Sequence, residues 1–237
     1  MLKKFIIPWK EPELITKKYR NNKIYLRENT MDILVLTEQK LYMKHINLDK
    51  KDIWLDAGAH IGTFSLSIHE KVDKIICYEP NNDNFYILEK NIKENSIKNV
   101  VLNNLAIVGN LDKQRYFYLN KRNKKNTGGH SFYIKRKPRE RTICECININ
   151  KILQDNPINK IKMDVEGAEY EILKAIKPEF FKNIEEIMFE YHFKILKDHP
   201  ERNKHKEIIN LLKKHFSYIS YKENIKGLWV TLIYCKK

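Results

Sequence analysis

No run of apolar residues in this 237-residue chain approaches the ~20 that a membrane-spanning helix needs. The first nine residues carry two lysines and a three-residue apolar stretch, Phe5-Ile6-Ile7. That is too short for a secretory signal, so a cytoplasmic location is expected. Cysteine is sparse. Cys77, Cys144, Cys146 and Cys235 make no C-x-x-C pair, and Cys144 and Cys146 alternate along a predicted strand, a poor spacing for zinc. All four are expected to be reduced and structural. Acidic residues fall short of basic ones, 30 against 45, for a formal net charge of +15. The excess suits nucleic acid, an anionic membrane surface or a phosphorylated substrate. It also matches a chain rich in Lys, Asn and Ile throughout, as AT-biased coding produces. Internal repeats are absent. The length and the 42% hydrophobic content fit one domain with a six- or seven-stranded α/β core.

What is present is organised around residues 53–64, I-W-L-D-A-G-A-H-I-G-T-F. Ile53, Trp54 and Leu55 read as the end of a buried strand, which Asp56 stops. Gly58 and Gly62 allow a tight turn and a close backbone approach. Phe64, Leu66 and Ile68 open a helix. An ordinary strand-to-helix turn would look similar, but a second acid adds to it. The strand 74–78 ends at Glu79-Pro80, and Glu79 lies 23 residues after Asp56. In a parallel βαβ unit such an acid sits at the neighbouring strand tip and can accept both hydrogen bonds of a ribose diol. Pro80 ends the ladder. The dinucleotide fingerprint is not met, because His60-Ile61 occupy its middle and no third glycine follows. A Walker lysine is missing too. The turn suits a ribose ligand without phosphates beside the helix. S-adenosylmethionine fits, with Asp56 facing its cationic part.

In chain order, residues 1–50 are expected to form a polar arm and a β-hairpin lead-in, with strands at 23–27 and 32–36 and a helical turn at 41–45. Residues 51–237 form the main domain. Strand 53–55, helix 62–70, strand 74–78, helix 83–95 and strand 99–105 give β-α-β-α-β, a parallel sheet with right-handed crossovers. Residues 109–147 break this rhythm. Alternating segments 114–119, 131–134 and 141–147 are predicted antiparallel strands, joined by the basic loops 121–125 and 135–141. The insertion either carries substrate specificity or is two solvated turns. Strand 158–163 then leads to Asp164-Val165-Glu166-Gly167. A helix follows from Glu169, then strand 184–191, an amphipathic helix 201–215, and a terminal hairpin, 216–221 with 228–235 around Gly227.

Five blocks resemble the FkbM family of class I S-adenosylmethionine-dependent methyltransferases. They are D-I-L-V-L from Asp32, L-D-A-G-A-H-I-G-T-F-S-L from Leu55, Y-E-P-N from Tyr78, N-L-A-I-V-G from Asn104 and I-K-M-D-V-E-G-A-E-Y-E-I-L from Ile161. The last is the most specific. The family commonly has Asn where His60 stands. The resemblance implies an α/β, Rossmann-like sheet, mostly parallel, of seven strands with the last antiparallel. It implies S-adenosylmethionine as donor and a hydroxyl as acceptor, on a sugar, glycan or secondary metabolite.

On that basis Asp56, Gly58, Ala59 and His60 are expected at the methionine end of the donor, and Glu79 and Pro80 at the ribose. Asn81 is expected near the adenosine, with Asn104 and Ala106 flanking the adenine from the third strand. Asn104 also suits a strand-end cap. Asp164, at the tip of the fourth strand, is expected near the sulfonium. Glu166 and Glu169 suit a helix start by the dipole alone. Methyl transfer to an alcohol needs a base and an in-line approach. His192, just after the fifth strand, is the first candidate, and His130 the second. A divalent metal on Asp164, Glu190 and His192 stays open. An RNA methyltransferase is the rival reading. D-V-E-G is not the N/D-P-P-Y type motif of base N-methylation, and no Pro-Cys nucleophile is present, but a 2′-hydroxyl acceptor stays open. A non-catalytic module is disfavoured by the intact Asp56, Glu79 and Asp164.

Overall fold

From residue 53 onward, short apolar segments alternate with helical ones, and each pair adds a parallel strand to one sheet. The computed structural model describes residues 11–120, 125–133, 140–192, 204–222 and 231–237. The strands are β1 (Leu14–Tyr19), β2 (Asn22–Arg27), β3 (Ile53–Ala57), β4 (Lys74–Tyr78), β5 (Val100–Asn103), β6 (Ala106–Val108), β7 (Gln114–Leu119), β8 (Glu140–Asn148), β9 (Lys160–Met163), β10 (Glu186–Tyr191), β11 (Tyr218–Lys222) and β12 (Thr231–Lys236). The helices are α1 (Asp32–Tyr42), α2 (Thr63–Ile68), α3 (Asn82–Glu94), α4 (Ile149–Asp155), α5 (Glu169–Ala175), α6 (Pro178–Phe181) and α7 (His205–Leu212).

The main sheet has seven strands in the order β11-β12-β10-β9-β3-β4-β5. β10, β9, β3, β4 and β5 run parallel. The last strand, β12, inserts antiparallel between β10 and β11, as the terminal hairpin predicts. The inner strands are buried on both faces, which is why they read as continuous apolar runs. One apolar core packs Leu55, Ile161, Phe189 and Ile172, a second packs Trp54, Phe64, Ile87 and Leu88, and a small third joins Ala106, Phe117 and Cys144. The ends of β3, β4, β9 and β10 open together at one edge, where a doubly wound sheet places its ligands.

The N-terminal hairpin exists, but with a different partner strand. β2 covers the predicted 23–27 strand and pairs with β1, from within the predicted arm. Residues 32–36 are the first turns of α1, not a strand, and the turn at 41–45 is the end of the same helix. Asp32, Gln39 and Tyr42 share its buried face at helical spacing. Thr30 Oγ1 accepts the Asp32 N–H, and Asp32 suits the first turn. A five-residue apolar run alone does not distinguish strand from helix.

The insertion is a three-stranded sheet in the order β6-β8-β7, with β7 and β8 antiparallel. Of the predicted strand at 131–134, the described residues 131–133 form a single bridge, between Ser131 and Tyr118, and residue 134 lies outside them. Most of the basic loop residues, 121–124 and 135–139, and the turn around Gly227 lie outside the described residues. The third core strand ends at Asn103, so Ala106 opens β6 instead of extending β5. The four cysteines are unbridged. No helix among the described residues is long and apolar enough to cross a membrane.

At the edge away from the cavity, Lys160 sits 3.0 Å from Asp52 and 3.2 Å from Glu186, its side chain 4% exposed. It also donates to the Asn47 carbonyl at 2.7 Å. Removing one cation from two buried carboxylates is costly. Lys160→Met should therefore lower the free energy of urea unfolding by about 3–5 kcal/mol, and a loss under about 1 kcal/mol would contradict this placement.

Candidate active site

The glycine turn after β3 builds the floor. Gly58 and Gly62 have φ of +76° and +88°, and His60 also sits in the left-handed region at +51°. A Cβ on Gly58 would lie 1.8 Å from the Asp164 carbonyl oxygen, so the turn packs directly on the end of β9. Asp164 N–H closes the contact by donating to the Ala57 carbonyl at 2.9 Å. Beside this floor lies a cavity of about 370 Å³, within the usual range for small-molecule sites. Gly58, Ala59, His60, Glu79, Pro80, Ala106, His130, Asp164, Glu190 and His192 all line it.

Glu79 occupies the tip of β4 as the sequence predicts. Its Oε2 accepts the His60 N–H and its Oε1 the Asn81 N–H, each at 2.9 Å. The carboxylate is thereby fixed at the cavity wall with acceptor capacity left for a ligand. Burial pushes its carboxyl up to about 7, against the pull of those two backbone donors.

Three predicted donor contacts lie elsewhere. Asp56 is fully buried and does not line the cavity. It pairs with Lys162 at 3.1 Å and accepts from Ser65 at 3.0 Å. Lys162 lines the cavity in its place and donates to the Gly58 carbonyl at 2.8 Å. Burial alone would lower the Lys162 pKa, and the Asp56 charge raises it above the usual lysine range. Asn81 is the N-cap of α3, its side chain accepting the Asn84 N–H at 3.0 Å, and Asn84 lines the cavity instead. Asn104 ties the strand tips together by donating to the Glu79 carbonyl at 2.8 Å. That hydrogen bond is the one a strand-end cap makes.

The insertion folds over the cavity and is clasped to the floor. Thr127 Oγ1 donates to Asp32 Oδ1 at 2.6 Å, and Asn84 Nδ2 donates to the Thr127 carbonyl at 3.1 Å. His60 Nε2 lies 3.2 Å from Thr127 Oγ1. Since that hydroxyl gives its proton to Asp32, the ring must donate from Nε2. Burial lowers the His60 pKa to about 4, so the ring is neutral near pH 7. His60 thus meets the ligand side through its backbone, while its side chain latches the insertion. His130 lies in the wall, with Nδ1 accepting the Asn120 N–H at 2.9 Å. Ser131 Oγ donates to the Glu166 carbonyl at 2.5 Å.

At the opposite end, His192 draws β9, β10 and α5 together. Its Nδ1 lies 2.8 Å from Glu169 Oε1. Its Nε2 faces Asp164, Glu166 and Glu190 at 3.6, 3.8 and 3.8 Å. Glu166 takes a left-handed φ of +52°. Burial and then neighbouring negative charge push the Glu166 and Glu190 carboxyls up. Burial would lower His192, but Glu166, Glu169 and Asp164 raise it well above an ordinary imidazole. Tyr42, from α1, donates to Glu190 Oε1. The sequence reading missed Lys162, Gln39 and Tyr42 as wall residues. A lysine inside the apolar strand I-K-M was a usable signal for the first; the strand reading of residues 32–36 hid the other two.

A mostly parallel seven-stranded sheet whose last strand runs antiparallel, with a cavity at the strand tips beside the glycine turn, defines the class. The chain is a class I S-adenosylmethionine-dependent methyltransferase. It belongs to the FkbM family, whose methyltransferase domain model matches residues 56–219. The chain is similar in structure to the methyltransferase FkbM from Methylobacillus flagellatus KT, with TM-score 0.54 and 14% identity over 87% of this chain and 52% of that one. It is similar to an rRNA methylase from Streptococcus thermophilus, with TM-score 0.52 and 11% identity over 86% of this chain and 95% of that one. It is similar to M. jannaschii TYW2 in complex with AdoMet, with TM-score 0.50 and 13% identity over 98% and 89%. No curated relative matches the sequence significantly.

The residues present fit the donor. Gly58 lets the turn pack directly on the end of β9 while lining the cavity, and Glu79 offers a fixed carboxylate that suits a ribose. Two outcomes follow. Gly58→Ala should lower stability by about 3 kcal/mol or more in thermal unfolding, from left-handed strain plus the clash with Asp164. Donor affinity measured by calorimetry should rise with pH through a midpoint near 7, because the ionised Glu79 carboxylate is the stronger acceptor. Glu79→Gln should flatten that profile; an equally flat wild-type profile would remove Glu79 from the donor site.

Proposed function

We propose that this methyltransferase transfers its methyl group to a hydroxyl of a sugar, glycan or related small molecule. The observation that carries the reading is that the donor floor and the Asp164, Glu190 and His192 cluster share one walled cavity. Bound S-adenosylmethionine supplies an electrophilic methyl on a positively charged sulfur. The protein must hold the donor, orient the acceptor oxygen and take charge of its proton. Gly58 to His60 and Glu79 would hold the donor, Glu79 at the ribose. Asp164 and His192 would meet the acceptor hydroxyl.

The rest of the wall supports a small, hydroxylated acceptor. Phe117 and Phe132 stand edge to face at 5.5 Å, and the residues Asn120 and Asn126 line the same wall. Apolar faces with amides beside them match a sugar ring, which is apolar on its faces and hydroxylated at its rim. The net charge of +15 favours RNA as the second reading, with a 2′-hydroxyl as acceptor.

Labelled methyl transfer tests the two together. Incorporation into a sugar or glycan panel, stable to alkali as an ether is, supports the first reading. Label confined to RNA as alkali-resistant 2′-O-methyl nucleotides supports the second. His192→Ala should cut turnover by about 100-fold or more while donor affinity holds, and unimpaired turnover would move the acceptor site elsewhere.

A further inference from the structure

Asp164, Glu166 and Glu190 crowd the acceptor end of the cavity around one histidine. The lysine beside them is already committed, because Lys162 pairs with Asp56 at 3.1 Å and donates to the Gly58 carbonyl at 2.8 Å. We propose that Asp164, Glu190 and His192 form a site for a hard divalent cation, magnesium or manganese. Its purpose rests on the hydroxyl-methylation reading above, but its geometry does not.

One ligand atom from each of these three residues lies within 4.8 Å of the others. His192 Nε2 stands 3.6 Å from Asp164 Oδ1 and 3.8 Å from Glu190 Oε2. Around an octahedral ion with bonds of about 2.1 Å, adjacent ligands lie roughly 3 Å apart and opposite ones about 4.2 Å. The two histidine spacings fall between these limits and the third is at most 4.8 Å, so side-chain shifts of about 1 Å or less would close the site.

The histidine is a second and independent sign. Its residue is 4% exposed, and among the described residues Nε2 makes no hydrogen bond, since the carboxylates it faces lie beyond hydrogen-bond reach at 3.6–3.8 Å. Nδ1 is occupied by Glu169 Oε1 at 2.8 Å, so the ring presents Nε2 to the carboxylates. Glu169 is itself held by the N–H groups of Val165 and Gly167, at 3.3 and 3.1 Å. A fixed carboxylate behind a histidine whose other nitrogen faces acid ligands is the supporting arrangement of metal sites. Tyr42 donates to Glu190 Oε1, which leaves Oε2 for the ion. Two carboxylates and one imidazole suit magnesium or manganese. Open positions on such an ion would face the cavity, where an acceptor hydroxyl would bind and become more acidic. Glu169 is then a positioning residue, and Glu166 the carboxylate nearest the site that need not bind directly.

The rival explanation is that these carboxylates serve the positive sulfur of the donor. Manganese titration of the full chain without donor, followed by electron paramagnetic resonance, separates the two. The expected result is one manganese ion per chain. Binding should weaken at least tenfold in Glu190→Gln and His192→Ala and by about 10–100-fold in Glu169→Gln. S-adenosylhomocysteine affinity, measured by calorimetry on the same variants, should stay within about threefold of wild type. No manganese or magnesium binding up to about 10 mM, in protein that binds S-adenosylhomocysteine, would overturn the proposal. So would manganese binding that Glu190→Gln leaves intact. Metal binding without any donor binding would instead undercut the methyltransferase reading and leave the cation site standing. Should a variant fail to fold, the wild-type melting temperature decides, since a specific ion must raise it with concentration and an unchanged melting temperature would overturn the site.

Discussion

The structure depends on a buried ammonium. Lys162 rises from the middle of β9, where neighbouring residues are apolar, and ends between the Asp56 carboxylate and the Gly58 carbonyl. A buried lysine without partners would be driven neutral or out of the core. Here the pairing is satisfied, and it fixes three things together. It holds β3 against β9, sets the height of the glycine turn, and keeps Asp56 below the cavity. The donor floor is shaped by a charge pair of which Lys162 reaches the cavity and Asp56 stays beneath it.

Above that floor the cavity is closed by parts distant in sequence. Asp32 opens α1, His60 belongs to the glycine turn, Thr127 to the insertion and Asn84 to α3, yet they form one hydrogen-bonded clasp. Arg27 completes it, with its guanidinium 2.9 Å from Asp32 Oδ2 and 2.7 Å from Asn84 Oδ1. Burial would raise the Asp32 carboxyl, but the Arg27 guanidinium, helped by the Thr127 hydroxyl, holds it below the usual carboxylate range. Helix α1 and the insertion are therefore walls of the site. Acceptor selection would reside in these walls, since the floor is set by the donor.

The sheet was legible because its strands obey strong rules. Apolar runs ending in Asp56, Glu79 and Asp164 mark parallel strand tips, and Glu169 at a helix start follows from the sequence D-V-E-G-A-E. The strand tips also gave Glu79 and His192 their places at the cavity. Residues 32–36 misled, because Ile33, Leu34, Val35 and Leu36 suit either a strand or a helix and only the Thr30 and Asp32 hydrogen bonds at the N-terminus decide. Asp56 misled for another reason. Its sequence position says that it ends a strand, but whether it faces the ligand or a buried lysine depends on β9, which lies about a hundred residues away and pairs in register only in three dimensions. Asn81 and Asn104 belong to the same class, since a short amide beside a turn serves local backbone as readily as a ligand.

The central claim is that one cavity receives the donor on the glycine turn and the acceptor at the histidine cluster. A crystal structure of the chain with S-adenosylhomocysteine tests it most directly. The account predicts the ribose hydroxyls against Glu79 and the sulfur at the Asp164 end, towards the His192 cluster. A ligand bound elsewhere, or bound here with its ribose away from Glu79, would contradict it.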